Sequence, residues 1–307
     1  MLIEDKIIEC VNHVFKGVLP NFAIDGFLQV NGRTVFGDIS NTSLIGSKFH
    51  RDFVGRRFLH FTSLKSLKGI LETGSLKLSN FNTFKDKKEY LHASEKIFEI
   101  PDDQATEIKK GLFVLSLTEL QEKDVKNNYD EHWKNYGNES KGVALEFEIL
   151  RQPAGYFPLA IQYYDSPQND TIIAKLKECH DSYFTSNNYK KELACFFYPL
   201  FCAYKENRFK WENETRIFFN NPNLDDIPEK VSDDSTQFYI DDNNYPIYYQ
   251  DVPLIFPTQI GNEHGRKFIL VHNIYVGKNA CYDNISSSVI FHWLLRLCRR
   301  NGIQLNH

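Results

Sequence analysis

Three charged residues in the segment KWENETRIFF, Glu212, Glu214 and Arg216, carry the clearest chemical potential in the chain, because they are spaced two apart. Residues two apart on a strand share a face, so this E-x-E-x-R pattern predicts two carboxylates and one guanidinium in a single row. Adjacent carboxylates repel, and the arginine relieves that repulsion. In general such a pattern is a solvated strand face with a surface ion pair. Here Trp211, Ile217, Phe218 and Phe219 flank it, and in so apolar a strand a charge is costly unless it is paired or used. A second constellation is His60 with Thr62 in RFLHFT. A lone strand histidine is ordinarily a satisfied core or edge residue, but Thr62 shares its face. Together they form a small polar pair able to hold hydroxyl groups of a ligand.

The elements around these residues follow from periodicity. In RFLHFTSLKSLKGILETGSLKLSN (57–80), Phe58, Leu59 and Phe61 have the bulk of a buried strand, and Thr62 or Ser63 can cap a helix. Leu64, Leu67, Ile70 and Leu71 fall on one helical face before a stop at Gly74. An alternating strand, SLKLSN, then gives way to a polar loop and a helix over FKDKKEYLHASEKIFE. Residues 111–119, 141–149 and 159–164 read as strands, separated first by a polar stretch, 120–140, that carries Trp133 and Tyr136. From Asp170 to Tyr204 the pattern is mainly helical, with an interruption at Pro199, and 208–220 reads as one strand. FYIDD, YPIYYQ, PLIFP, KFILVHNIYVG and an amphipathic helix, SSVIFHWLLRLCRRNG, complete the chain. Strands outnumber helices without regular alternation, which predicts an α+β fold. Residues 1–56 read as an N-terminal helical and loop extension, and 57–307 as a single α+β domain of catalytic type.

Composition narrows the function classes. The 36 basic and 40 acidic side chains are interspersed and leave a net charge of -4, so there is no general electrostatic reason to bind nucleic acid or membrane. The six cysteines form no C-x-x-C pair, which fits reduced, buried thiols and a cytoplasmic location. The first residues, MLIEDKIIECVNHVF, carry acids early and read as an amphipathic helix rather than a secretory signal. No G-x-G-x-x-G, P-loop, serine-hydrolase elbow or HExxH pattern is present, which argues against dinucleotide dehydrogenases, P-loop NTPases, serine hydrolases and zinc proteases. His132 and His180 lack metal-ligand spacing, and no metal cofactor is predicted.

Four motifs in order carry a resemblance. LHFTSLKSLKGILETGSLKLSN, FNTFKDKKE, WKNYGNESKGVALEF and KWENETRI together resemble the bacterial domain-of-unknown-function 2971 family over about Arg57 to Gly277. The chain departs from that family's N-D-P at Asn82, Thr83 and Phe84. The H-F-T strand followed by a helix ending in Gly is also similar to the opening of ADP-ribosyltransferase-like proteins. That likeness implies split mixed and antiparallel β-sheets with flanking helices, and an activity that consumes NAD. It implies that His60 holds the nicotinamide ribose and that Glu214 is the catalytic carboxylate with Glu212 as the first acid; Thr62, on the face of His60, is placed to bind the same cofactor, and the chemistry lets Arg216 fix Glu214 or bind a phosphate. Phe84, Tyr90, Trp133 and Tyr136 are available to stack on a flat ring. The reaction would transfer ADP-ribose to a protein or nucleic acid, or hydrolyse NAD, in a bacterial toxin or phage-defence setting. A non-catalytic module binding a nucleotide or protein, and a nucleic-acid-processing enzyme, are the alternatives.

Overall fold

The computed structural model describes residues 46–83, 111–151, 156–164, 202–220, 236–240, 246–259, 268–280 and 285–306, a hairpin at 28–30 and 33–35, and Glu9, Asn12, His13, Leu19, Asn21 and Ala174 singly. In chain order these form β1 (Leu28–Val30), β2 (Arg33–Val35), β3 (Arg57–Thr62), α1 (Leu64–Thr73), β4 (Ser75–Asn80), β5 (Leu112–Glu119), α2 (Val125–Asn128) and α3 (Asp130–Asn135). There follow β6 (Val143–Ile149), β7 (Phe157–Ala160), β8 (Gln162–Tyr164), β9 (Tyr204–Glu206), β10 (Glu214–Asn220), β11 (Thr236–Ile240) and β12 (Pro246–Ile255). The last elements are β13 (Ile269–Val276), α4 (Ile285–Asn301) and β14 (Gln304–Asn306), and the mixture is α+β.

The β3 and α1 segment folds as its residues dictate. The Ser63 side chain caps α1 by accepting from the Ser66 amide, Leu67, Ile70 and Leu71 are buried, and Gly74 ends the helix at φ 66°. That left-handed conformation is one only glycine adopts without cost. Strands β12, β13, β6, β3, β5 and β4 then close a ring, because β4 pairs with both β5 and β12. Strand β10 lies against the other edge of β5, and β7 against β10.

Alternation divides the ring strands into two apolar layers. Phe58, Leu117, Leu145, Phe147, Ile217, Val252 and Ile274 belong to the larger core, which α1 and Leu294 and Cys298 of α4 complete. Leu59, Phe61 and Ala144 point the other way and pack with Val125, Tyr129 and Trp133 of the α2–α3 segment. Phe53, which precedes β3, also sits in the larger core, and Val54 bridges to Ile149. The residues just before 57 are thus packed into the same body.

Several expected elements differ. The polar stretch 120–140 holds α2 and α3, whose short lengths gave no periodicity to detect. The expected strand 159–164 is divided at Ile161 into β7 and β8, and Tyr204 opens a strand rather than ending a helix. Residues 208–220 are not one strand, since 207–212 form a 3-10 turn before β10. YPIYYQ and PLIFP merge into the long strand β12. The helices expected over 84–99 and most of 170–204 lie outside the described residues.

A left-handed turn ties α3 to the ring. Asn138, Glu139 and Ser140 have φ of 51°, 55° and 63°, a costly run for side-chain-bearing residues. It is held by hydrogen bonds from the Ser140 amide to the Trp133 carbonyl and from the Asn279 amide to the Ser140 carbonyl. Gly277 lies against it so closely that a Cβ there would stand 2.2 Å from the Ser140 carbonyl oxygen. Gly277→Ala is therefore expected to lower stability by roughly 3 kcal/mol, as backbone must move to relieve the overlap. A urea midpoint within experimental error of the parent protein would show the turn to be freely adjustable.

Candidate active site

Glu214 and Arg216 are the first and third residues of β10, where the register sets them opposite Thr118 and Ser116 of β5. Glu212 arrives from a different element. It ends the 3-10 turn 207–212, and Asn213, at φ 41° and ψ 50°, redirects the chain into β10. The expected single strand row of E-x-E-x-R is thus corrected: the pair Glu214 and Arg216 follows the strand, whereas Glu212 is placed by a left-handed residue between the two acids. The carboxylates nevertheless meet, through a residue that the pattern did not single out. Lys205, in β9, donates to Glu212 and, at 3.0 Å, to Glu214.

The four side chains form a buried cluster. Glu212, Glu214, Lys205 and Arg216 are each at most 5% exposed. Arg216 grips Glu214 in a fork, Nε to Oε1 at 2.7 Å and Nη2 to Oε2 at 3.1 Å, and sends Nη1 to the Cys202 carbonyl at 2.7 Å. A bidentate guanidinium of this kind fixes the carboxylate in plane. The Glu214 amide donates to the Tyr163 hydroxyl at 2.7 Å, and β8 carries Tyr163 beside Lys205 in register. Tyr136 donates its hydroxyl proton to Glu212 Oε1 at 2.7 Å.

These surroundings drive the two acids apart. Burial works to raise Glu214, but the charges of Arg216 and Lys205, with hydrogen bonds from Arg216 and Ser116, more than offset it and hold the carboxyl at about 2. Burial raises Glu212, and the Glu214 charge adds to the rise against the opposing pull of Lys205 and Tyr136. Two carboxylates split in this way are the usual mark of an acid and a permanently charged partner.

Tyr136 and Trp211 carry the cluster toward the surface. Tyr136 is 47% exposed and Trp211 37%, and their rings stack with centroids 6.2 Å apart at 24°. His132 lies edge-on to Trp211 with centroids 5.0 Å apart, and its Nε2 is 3.2 Å from the Glu212 carbonyl oxygen. Beside this aromatic pair opens a pocket of about 340 Å³, lined by Glu122, Tyr129, Glu131, His132, Trp211 and Asn213 among others.

His60 and Thr62 are not part of this constellation. His60 is paired with Leu145 of β6 and shares the face of Phe58, the face of the larger core. Glu214 pairs with Thr118, which in turn pairs with Leu59, so the glutamate stands on the opposite face. The expectation that His60 and Glu214 meet across one cleft is corrected on this geometry, because strand alternation sends them to opposite sides of the sheet. Ser116 links the two, its backbone hydrogen-bonding His60 and its side chain hydrogen-bonding Glu214. Burial lowers the basicity of His60, leaving a neutral ring at pH 7. Trp133 is fully buried and its indole donates to the Val125 carbonyl at 2.9 Å, a core role. Tyr90 and Phe84 lie outside the described residues.

Glutamate 146, on the same outer face, is satisfied in a cluster of its own. Asn273, Tyr275 and Arg57 all donate to it. Lys205 had one signal in the sequence: a single ammonium closing the apolar run ELACFFYPLFCAY, where a charge must find a partner.

Comparison with protein families, with curated proteins and with solved structures finds no match to this chain. No helix among the described residues is long and apolar enough to cross a membrane.

Proposed function

We propose that the Glu212, Glu214 and Lys205 cluster is the centre of an NAD-consuming enzyme of ADP-ribosyltransferase-like type, which transfers ADP-ribose to a macromolecule or hydrolyses NAD. The observation that carries this reading is the opposite displacement of two lysine-bridged carboxylates beneath an exposed aromatic pair. The resemblance of the E-x-E-x-R segment to such enzymes supports it, and suggests a toxin or phage-defence role.

A flat ring fits the Tyr136 and Trp211 surface, which is stacked, exposed and joined to Glu212 through the Tyr136 hydroxyl. Cleavage of an N-glycosidic bond places positive charge on the ribose carbon, and a nearby carboxylate stabilises it. The roles of the acids then differ from those implied by the motif. Glu214, with both oxygens gripped by Arg216 and one also by Lys205, is a positioning residue that keeps Lys205 in place. Glu212, linked to the exposed phenol, is the carboxylate that faces the reacting group. Its raised acidity range also suits it to take a proton from an acceptor or water. His60 and Thr62 have no part in this scheme.

Incubation with NAD and chromatography of the products tests the reading. Glu212→Gln is expected to reduce NAD consumption by about 10²-fold or more, with the circular dichroism spectrum unchanged. Undiminished consumption in that variant, or none in the parent protein, removes the assignment. One observation favours a second reading, a non-catalytic module: every oxygen of Glu212, as of Glu214, already has a protein donor. Calorimetric binding of a nucleotide without turnover would select it.

A further inference from the structure

Helix α4 ends in a row of arginines that the fold leaves without counter-charge. Arg296, Arg299 and Arg300 are exposed, as is His292 one turn earlier, and on a helix these four positions fall within one arc of roughly 100°. The opposite side faces the core, where Leu294 and Cys298 are buried and Trp293 and Leu297 pack against them. Among the described residues no carboxylate pairs with any of the three arginines. The elements packed on this end of the helix, the turn Pro257–Gln259 and β14, contain no acid. Nor do the arginines serve as caps. The Gly302 amide donates to the Arg299 carbonyl, the Ile303 amide to that of Cys298 and the Asn301 side chain to that of Leu297.

Arg299 and Arg300, in the last turn, complement the negative end of the helix dipole. That effect fades within one turn, so it does not account for Arg296, which lies further back along the helix. A helix lying on a membrane shows an apolar face beside its basic one, whereas the apolar side of α4 is inside the core. The net charge of -4 gives the chain as a whole no attraction to a polyanion, so the attraction is local. Guanidinium forks suit phosphate oxygens, which they take two at a time. From Arg296 to Arg300 the helix rises roughly 6 Å. A nucleic-acid duplex carries a charge about every 1.7 Å along its axis, so the row meets phosphates in any register. An acidic polypeptide would need carboxylates placed to match. Thr258, exposed beside Gly302, adds a neutral hydroxyl donor of the kind that phosphates accept from.

We propose that the arginine face of α4 docks the phosphate backbone of a nucleic acid. Arg296, Arg299 and Arg300 each hold a phosphate, and contacts of this kind position a strand without reading its bases. The inference rests on this face alone and holds whether or not the carboxylate cluster turns over NAD.

Fluorescence anisotropy of a short labelled DNA duplex of mixed sequence, titrated with the full chain, tests the proposal, with an RNA duplex of the same length as a second arm. A Kd of about 10–100 μM is expected at low salt, with log K falling against log salt at a slope of about -2.7 for three phosphate contacts. Each single arginine-to-glutamine change should reduce that slope by about 0.9, whatever the duplex sequence. The variant Arg296→Gln/Arg299→Gln/Arg300→Gln should bind at least about tenfold more weakly. Its lysine counterpart, Arg296→Lys/Arg299→Lys/Arg300→Lys, keeps the charge and should bind within about threefold of the parent, which separates a lost contact from a lost fold. Polyglutamate and vesicles of anionic phospholipid should bind at least about tenfold more weakly than the better of the two duplexes. Neither duplex bound at about 1 mM, an unaltered glutamine variant, or polyglutamate or vesicles bound as tightly as the duplexes each overturns the proposal. NAD consumption in the same preparations bears on the carboxylate cluster alone: duplex binding without turnover removes only the enzyme reading, and turnover without duplex binding removes only the arginine face.

Discussion

Lys205→Met is expected to destabilise the folded protein by about 4 kcal/mol at pH 7, the largest effect of any single substitution in the cluster. The ammonium is the one group that bridges Glu212 and Glu214. Methionine fills much of the same volume but leaves two buried carboxylates facing each other. Glu214 still has the Arg216 fork, so the uncompensated charge falls on Glu212, whose remaining donor is the Tyr136 hydroxyl. A buried acid in that position protonates rather than remain charged.

The expected signature is a stronger gain of stability on acidification than in the parent, where Glu212 is already displaced upward against the pull of Lys205. Urea unfolding of Lys205→Met should show stability increasing as pH falls from 8 to about 5, because Glu212 takes up its proton in the folded state. The double variant Lys205→Met/Glu212→Gln removes that charge in advance and should regain more than half of the loss, giving a coupling energy of about 2 kcal/mol. A single-variant loss below about 1 kcal/mol, or strict additivity of the two substitutions, would mean that water already shields the glutamates and that the lysine bridge is incidental.

The sequence and the structure agree where a segment's own periodicity decides its form. The run 57–80 is the clearest instance, with its strand, Ser63 cap, amphipathic α1 and Gly74 stop all present. Strands β5, β6 and β13 and helix α4 follow the same logic. What local pattern does not contain is the face on which a side chain lands relative to a distant strand. His60 and Glu214 are both strand residues near polar neighbours, yet the β3–β5–β10 register sends them to opposite faces. A one-residue change of register would have reversed that outcome. The cluster itself was half legible: Glu212, Glu214, Arg216 and Tyr136 come together, but through Asn213 and Lys205, two residues whose importance depends on a left-handed turn and on the pairing of β8 with β9.

The pH profiles of the two glutamate variants should move in opposite directions. Glu214 has its folded carboxyl at about 2 against an ordinary value of 4.5, so its contribution to stability is complete above about pH 4.5 and is lost as pH falls toward 2. The displacement corresponds to about 3 kcal/mol for a fully buried group. Glu214→Gln should therefore flatten the acid limb of the stability curve between about pH 5 and pH 2 and lower stability at neutral pH. Glu212 is displaced upward, so it favours the folded state only at low pH, and that contribution disappears as pH rises through its folded value. Glu212→Gln keeps an acceptor for Tyr136 and Lys205 while removing a charge that burial disfavours. It should leave the acid limb, which belongs to Glu214, in place, remove the loss of stability that Glu212 causes as pH rises above about 4.5, and leave neutral-pH stability equal or higher. Identical profiles for the two variants would contradict the split. A Glu212→Gln protein that is as stable as its parent, or more so, and consumes no NAD would be the combination expected of a charge retained for chemistry, since a site strained for function gains stability when the strain is relieved. The same variant both stable and fully active would place Glu212 among the structural residues.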